Sequence, residues 1–73
     1  MKVGQLIWDA YTQRVDVIFT DGAFYGGLHC GDTFDVLIND AWIPTRIELR
    51  WPDTWYLIDL ELDDEILGLT VRM

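Results

Sequence analysis

The sequence predicts an all-β domain, a small barrel or sandwich of antiparallel strands. Three observations predict it. Six short runs, VGQLIWD, RVDVIFT, TFDVLIN, AWIPTRIELR, WYLIDLEL and LGLTVRM, alternate apolar and polar residues with period two. Those runs are rich in Val, Ile, Trp, Tyr, Phe and Thr, the residues that suit a pleated, half-buried surface. Clusters of Gly, Asn, Asp and Pro separate them at short spacing, as in all-β folds made of hairpins.

A chain of 73 residues makes one domain, spanning 1–73. Such a chain buries only about 60% of the surface that its unfolded form exposes, so its core must pack efficiently. The composition suits that need: 51% hydrophobic and 14% aromatic residues, with four tryptophans. A single cysteine excludes an internal disulfide and any four-ligand Cys/His zinc site. It also agrees with a reducing cytoplasm, where thiols stay free. MKVGQLIWDA lacks the pattern of a signal peptide. No uncharged run approaches the roughly 20 residues of a membrane helix. The expected location is the cytoplasm.

The first hairpin allows two registers, with either Trp8 or Ile7 opposite Val15 around the loop DAYTQ. Val15, Val17 and Phe19 face inward in both. The centre of the chain allows only one. Asn39-Asp40 tolerates positive φ and predicts a two-residue turn, which sets Ile38 opposite Ala41, Val36 opposite Ile43 and Phe34 opposite Thr45. Trp51-Pro52-Asp53-Thr54 predicts a type I turn with proline at its second position, which sets Arg50 opposite Trp55 and Ile47 opposite Ile58. One face of this three-stranded unit then collects Phe34, Val36, Ile38, Ile43, Ile47, Leu49, Tyr56, Ile58 and Leu60, the expected core. The other face collects Leu37, Trp42, Arg46, Arg50, Trp55, Leu57 and Asp59, with an Arg46–Asp59 ion pair and an Arg50–Trp55 cation–π contact. Leu67, Leu69, Val71 and Met73 form a last strand that closes the sheet against an earlier one, removing an exposed edge. In DLELDDEIL, residues 59 to 67, at most one helical turn fits, since residues 59–62 continue the strand alternation and the acidic residues 63–65 resemble a solvated turn.

GGLHCGD, residues 26 to 32, holds the only histidine and the only cysteine. Its glycines permit positive φ, so the structural reading is a reversing loop anchored by Leu28, with Cys30 as a small buried apolar residue. A catalytic reading pairs Cys30 as nucleophile with His29 as base. Neighbours in an extended chain point to opposite faces, and no second histidine exists to replace His29. A metal reading needs a further carboxylate beside His29, Cys30 and Asp32, and the spacing fits no zinc pattern. The acids Asp59, Glu61, Asp63, Asp64 and Glu65 lack the spacing and the glycine of a calcium loop. The sequence thus carries no catalytic set, no metal site and no cofactor motif.

Five basic residues against thirteen acidic ones give a net charge of −8. Direct binding to nucleic acid and to anionic membranes is disfavoured, because both rely on lysine and arginine. A protein partner, basic in character, fits better. Ten aromatic residues exceed what so small a core holds. The candidate binding surface is therefore the mixed face, with Trp42, Trp55, Leu37 and Leu57.

Over almost its whole length the chain resembles a family of small bacterial single-domain proteins of unknown function. The residues that carry the resemblance are GGLHCG, the Asn39-Asp40 turn before WIPTRIE, then WYL and a terminal GLTVR. The resemblance implies a compact all-β fold similar to an SH3-like barrel of five to six strands, cytoplasmic, and often encoded near mobile elements. It transfers no activity and no residue role, although it places His29 among the candidate binding residues. The expected function is a noncatalytic protein-binding module using an aromatic surface bordered by acids. An acidic decoy that occupies a nucleic-acid-binding protein is the alternative, and a small thiol-dependent enzyme using Cys30 is the third.

Overall fold

The computed structural model describes residues 1–60 and 65–73. Alternation produces six strands: β1 (Val3–Asp9), β2 (Arg14–Phe19), β3 (Thr33–Ile38), β4 (Ala41–Arg50), β5 (Thr54–Leu57) and β6 (Thr70–Arg72). They form one sheet in the order β2-β1-β6-β3-β4-β5, with every neighbouring pair antiparallel. Among the described residues there is no helix, and none long and apolar enough to cross a membrane. The conceivable helical turn and most of the acidic cluster fall on residues 61–64, outside the described residues.

The last strand does not close a barrel. β6 lies in the middle of the sheet, joining the β1–β2 hairpin to the β3–β4–β5 meander, with Val71 opposite both Gly4 and Val36. β2 and β5 are the end strands of an open sheet, so strand pairing does not produce the expected closure. The sheet coils instead around a core of Leu6, Val15, Val17, Val36, Ile47 and Val71, joined by Leu28 and Ile66 from loops. Gly4 permits a close approach of β1 to β2. A Cβ there would collide with the Ile18 carbonyl on β2 and press on the Val17 side chain. Gly4→Ala is expected to lower the unfolding free energy by about 1–3 kcal/mol, read from urea melts, because the obstacle is backbone.

Trp8 pairs with Val15, which settles the first hairpin and leaves residues 10–13 as its loop. The Asn39-Asp40 turn has φ of 49° and 64°, and the β3–β4 register is the expected one. The β4–β5 register is not. Arg50 pairs with Thr54, Leu49 with Trp55, Glu48 with Tyr56 and Ile47 with Leu57. The connection therefore spans three residues, 51–53, and an odd loop length reverses the parity of β5. Leu57 enters the core at 2% exposure and Trp55 packs against it, so neither belongs to the outer face. Tyr56 turns outward under the Arg50 guanidinium, 4.8 Å from its ring centroid, in place of Trp55. Arg46 pairs with Glu48 at 3.0 Å rather than with Asp59. Leu49, expected in the core, is exposed where the sheet ends, and Ile58 is only half-buried.

Candidate functional site

The site grows from one carboxylate. Asp16 alternates outward from the β2 core residues Val15 and Val17 and stands opposite Ile7 on β1. Residues 23–28 return along the free edge of β2. The Phe19 N–H donates to the Ala23 carbonyl at 2.8 Å, the Tyr25 N–H to Val17 at 2.9 Å and the Leu28 N–H to Val15 at 2.9 Å. Between the last two contacts the strap carries one residue too many, and the surplus is taken up at Gly26 and Gly27, with φ of 108° and 100°. Two successive positive φ values aim both amides at the same acceptor, a conformation that favours glycine. Asp16 Oδ1 accepts from the N–H groups of Val17 (2.8 Å), Gly26 (3.0 Å) and Gly27 (2.8 Å). The chain thus fills its own anion cradle, and Asp16 is left 3% exposed.

At the start of the strap a smaller contact repeats the logic. The Ala23 N–H, first, and the Lys2 ammonium, second, hold the Asp21 carboxyl below its ordinary value.

The strap and the outer face of the β1–β2 hairpin enclose an open cleft of about 650 Å³. Ile7 and Asp16 form its floor, and Phe24, opposite Ile18, forms one wall. Trp8 and Tyr11 rise from the hairpin end, where the Asp9 carboxylate accepts the Tyr11 N–H at 2.9 Å. The rings are open to solvent: Trp8 is 47% exposed, Phe24 58% and Tyr11 wholly so. Trp8 also reaches the mouth of the core side, where it and Trp55 line an adjoining cleft of about 400 Å³ with Cys30 and Pro52.

The residues proposed from the sequence are dispersed. Leu37 and Trp42 do face each other across β3 and β4. Both are half-buried, and the Arg72 guanidinium, bound to Asp35 at 2.9 Å, covers the Trp42 ring at 4.5 Å. Trp55 is turned to the core side and Leu57 is inside the core, a direct result of the reversed β5 parity. His29 is exposed on a separate turn, in which the Asp32 N–H donates to the His29 carbonyl and the His29 N–H to Asp32 Oδ2. Gly31, at φ 92°, makes that turn possible. The loop reading with Leu28 as anchor therefore holds, since Leu28 is fully buried. Cys30 departs from its expected burial: it sits at the turn's apex and is exposed. No hydrogen bond joins His29 to Cys30 among the described residues. No group of three His, Cys, Asp or Glu side chains among those residues is placed to hold a metal ion. Sequence reasoning missed Trp8, Tyr11, Phe24 and Asp16; the available signals were the aromatic pair before Gly26-Gly27 and an acid interrupting the VDV core run.

A model for a domain of unknown function, DUF5348, matches residues 4–73, so the chain belongs to that family. It is similar to a protein from Ruminococcus gnavus whose crystal structure has been solved, with 47% identity and a TM-score of 0.87. That likeness covers 99% of this chain and 100% of the other. No curated protein matches the chain.

Proposed function

We propose that this member of the DUF5348 family is a noncatalytic binding module that recognises a protein partner through the cleft between the β1–β2 hairpin and the strap at residues 23–28. One observation carries the reading: Trp8, Tyr11 and Phe24 all line this cleft and all are exposed. Burying an aromatic side chain is worth about 1.5–3 kcal/mol, and folding leaves much of that unrealised here. A contiguous aromatic patch beside acids is the usual mark of an interface. The surface expected on Trp42, Trp55, Leu37 and Leu57 is thereby moved to the opposite end of the sheet, while the principle of aromatics bordered by acids is kept. The cytoplasmic location and the link to mobile elements that the resemblance implies belong to the same reading.

Phe24→Ala is expected to weaken partner capture from the native cell about 30-fold, as loss of a central aromatic anchor does. Its thermal melt should hardly move, because the ring is exposed. Capture by Phe24→Ala at the wild-type level would sink the reading. Net charge favours the acidic decoy as a second reading, since Lys2, Arg46 and Arg72 are already paired with carboxylates of the same chain. Decoy binding falls steeply with salt, whereas an aromatic interface is nearly indifferent.

A further inference from the structure

The cleft combines aromatic walls with carboxylates and contains no cation of its own. Of the five basic residues in the chain, none lines it. Lys2 is held by Asp21, Arg46 by Glu48 and Arg72 by Asp35. Arg50 is stacked on Tyr56, and Arg14, although opposite Asp9 in the hairpin, donates to the Leu28 carbonyl at 3.2 Å. Among the described residues neither Asp9 nor Asp16 has an ion-pair partner. The cleft is thus lined by the exposed Tyr11 and Phe24 rings, with the edge of Trp8 shared with the core side, together with the buried Asp16 carboxylate at the floor and Asp9 near Tyr11.

Each of these features attracts the same chemistry. Ring faces are negative and draw an ammonium group within about 6 Å of the centroid. A carboxylate shielded from water acts on a nearby charge more strongly than an exposed one. Ile7 and the rings offer apolar surface to an alkyl stem, and a lysine side chain combines such a stem with a compact charged head. We propose that this cleft seats the ammonium end of a lysine side chain presented by the partner protein. The proposal rests on the cleft being the recognition surface, and adds which side chain enters it.

The test titrates the full 15N-labelled chain with the capped tripeptide Gly-Lys-Gly at millimolar concentration, and with the same peptide acetylated on Nζ. The expected result is saturable shifts at the Gly26 and Gly27 amides and the Trp8 indole, with affinity at least ten-fold lower for the acetylated peptide. Asp16→Asn keeps an oxygen for the three amides and removes only the charge, so it should weaken binding about ten-fold with its spectrum otherwise preserved. Phe24→Ala should cost roughly 3- to 30-fold. Equal binding of both peptides, or wild-type affinity in Asp16→Asn, overturns the lysine assignment, as does a failure of the unacetylated peptide to bind. Binding of n-butylammonium as tight as that of the peptide also overturns it, in favour of a free amine. Partner capture that still depends on Phe24 would then keep the cleft as the recognition surface; capture indifferent to Phe24 removes both conclusions.

Discussion

Replacing Asp16 by alanine is expected to lower the unfolding free energy by roughly 3 kcal/mol, because it strands the amide donors bound to that carboxylate. The Val17 and Gly27 N–H groups are buried and the Gly26 N–H is partly so, and all three are bound to the single atom Oδ1. An unsatisfied buried donor costs about 1–3 kcal/mol. The sum is held below three full penalties because water can enter once the strap loosens. Asp16→Asn retains an acceptor in the same place and should cost about 1 kcal/mol. Urea denaturation checks the pair, and amide exchange locates the damage: the amides of Tyr25 and Leu28, which bind β2, should exchange faster in the alanine variant than those of β3 and β4. A loss under 1 kcal/mol for Asp16→Ala would show that the cradle does not hold the strap.

The consequence for function is direct. Phe24 is held at the cleft between two contacts with β2, at Ala23 and at Tyr25, and the strap beyond it is tied down by Asp16 and by Leu28 in the core. Alanine at 16 should thus remove partner binding through loss of geometry, whereas alanine at 24 removes it by loss of contact. Stability separates the two causes, since only the first variant melts earlier.

Legibility in the sequence followed the range of the interactions. The Asn39-Asp40 hairpin was readable because a two-residue turn with both φ positive fixes the register locally. The parity of β3 and β4 came with it: Val36 and Ile47 are fully buried, and Arg46 is exposed. The β4–β5 connection was not readable in the same way. Thr54 serves equally well as the last turn residue or the first strand residue, and that one choice decides every side chain of β5. Cys30 misled because its apolar character says bury, while its place beside Gly31 at a turn apex says expose, and the turn prevailed. The cleft was the least readable part. Gly26-Gly27 announced positive φ, yet nothing local shows that the anion they wrap is Asp16, ten residues earlier. Position along the sheet was equally hidden, since β6 could reach any free edge and in fact enters between β1 and β3.

The parity of β5 has a measurable signature. Leu57→Ala is expected to cost about 2–5 kcal/mol, the range for truncating a buried leucine, since Leu57 is 2% exposed opposite the fully buried Ile47. Ile58→Ala should cost less than about 1.5 kcal/mol, because Ile58 lies beyond the last β4–β5 pair and is half-buried. The rival register, with a four-residue loop and Ile58 opposite Ile47, reverses that order and turns Leu57 to solvent. Equilibrium melts of the two single variants therefore decide between the registers without further structural work. The larger loss must fall at position 57. If it falls at 58, Trp55 returns to the outer face beside Trp42, and the aromatic surface at the β1–β2 hairpin loses its standing as the main exposed patch.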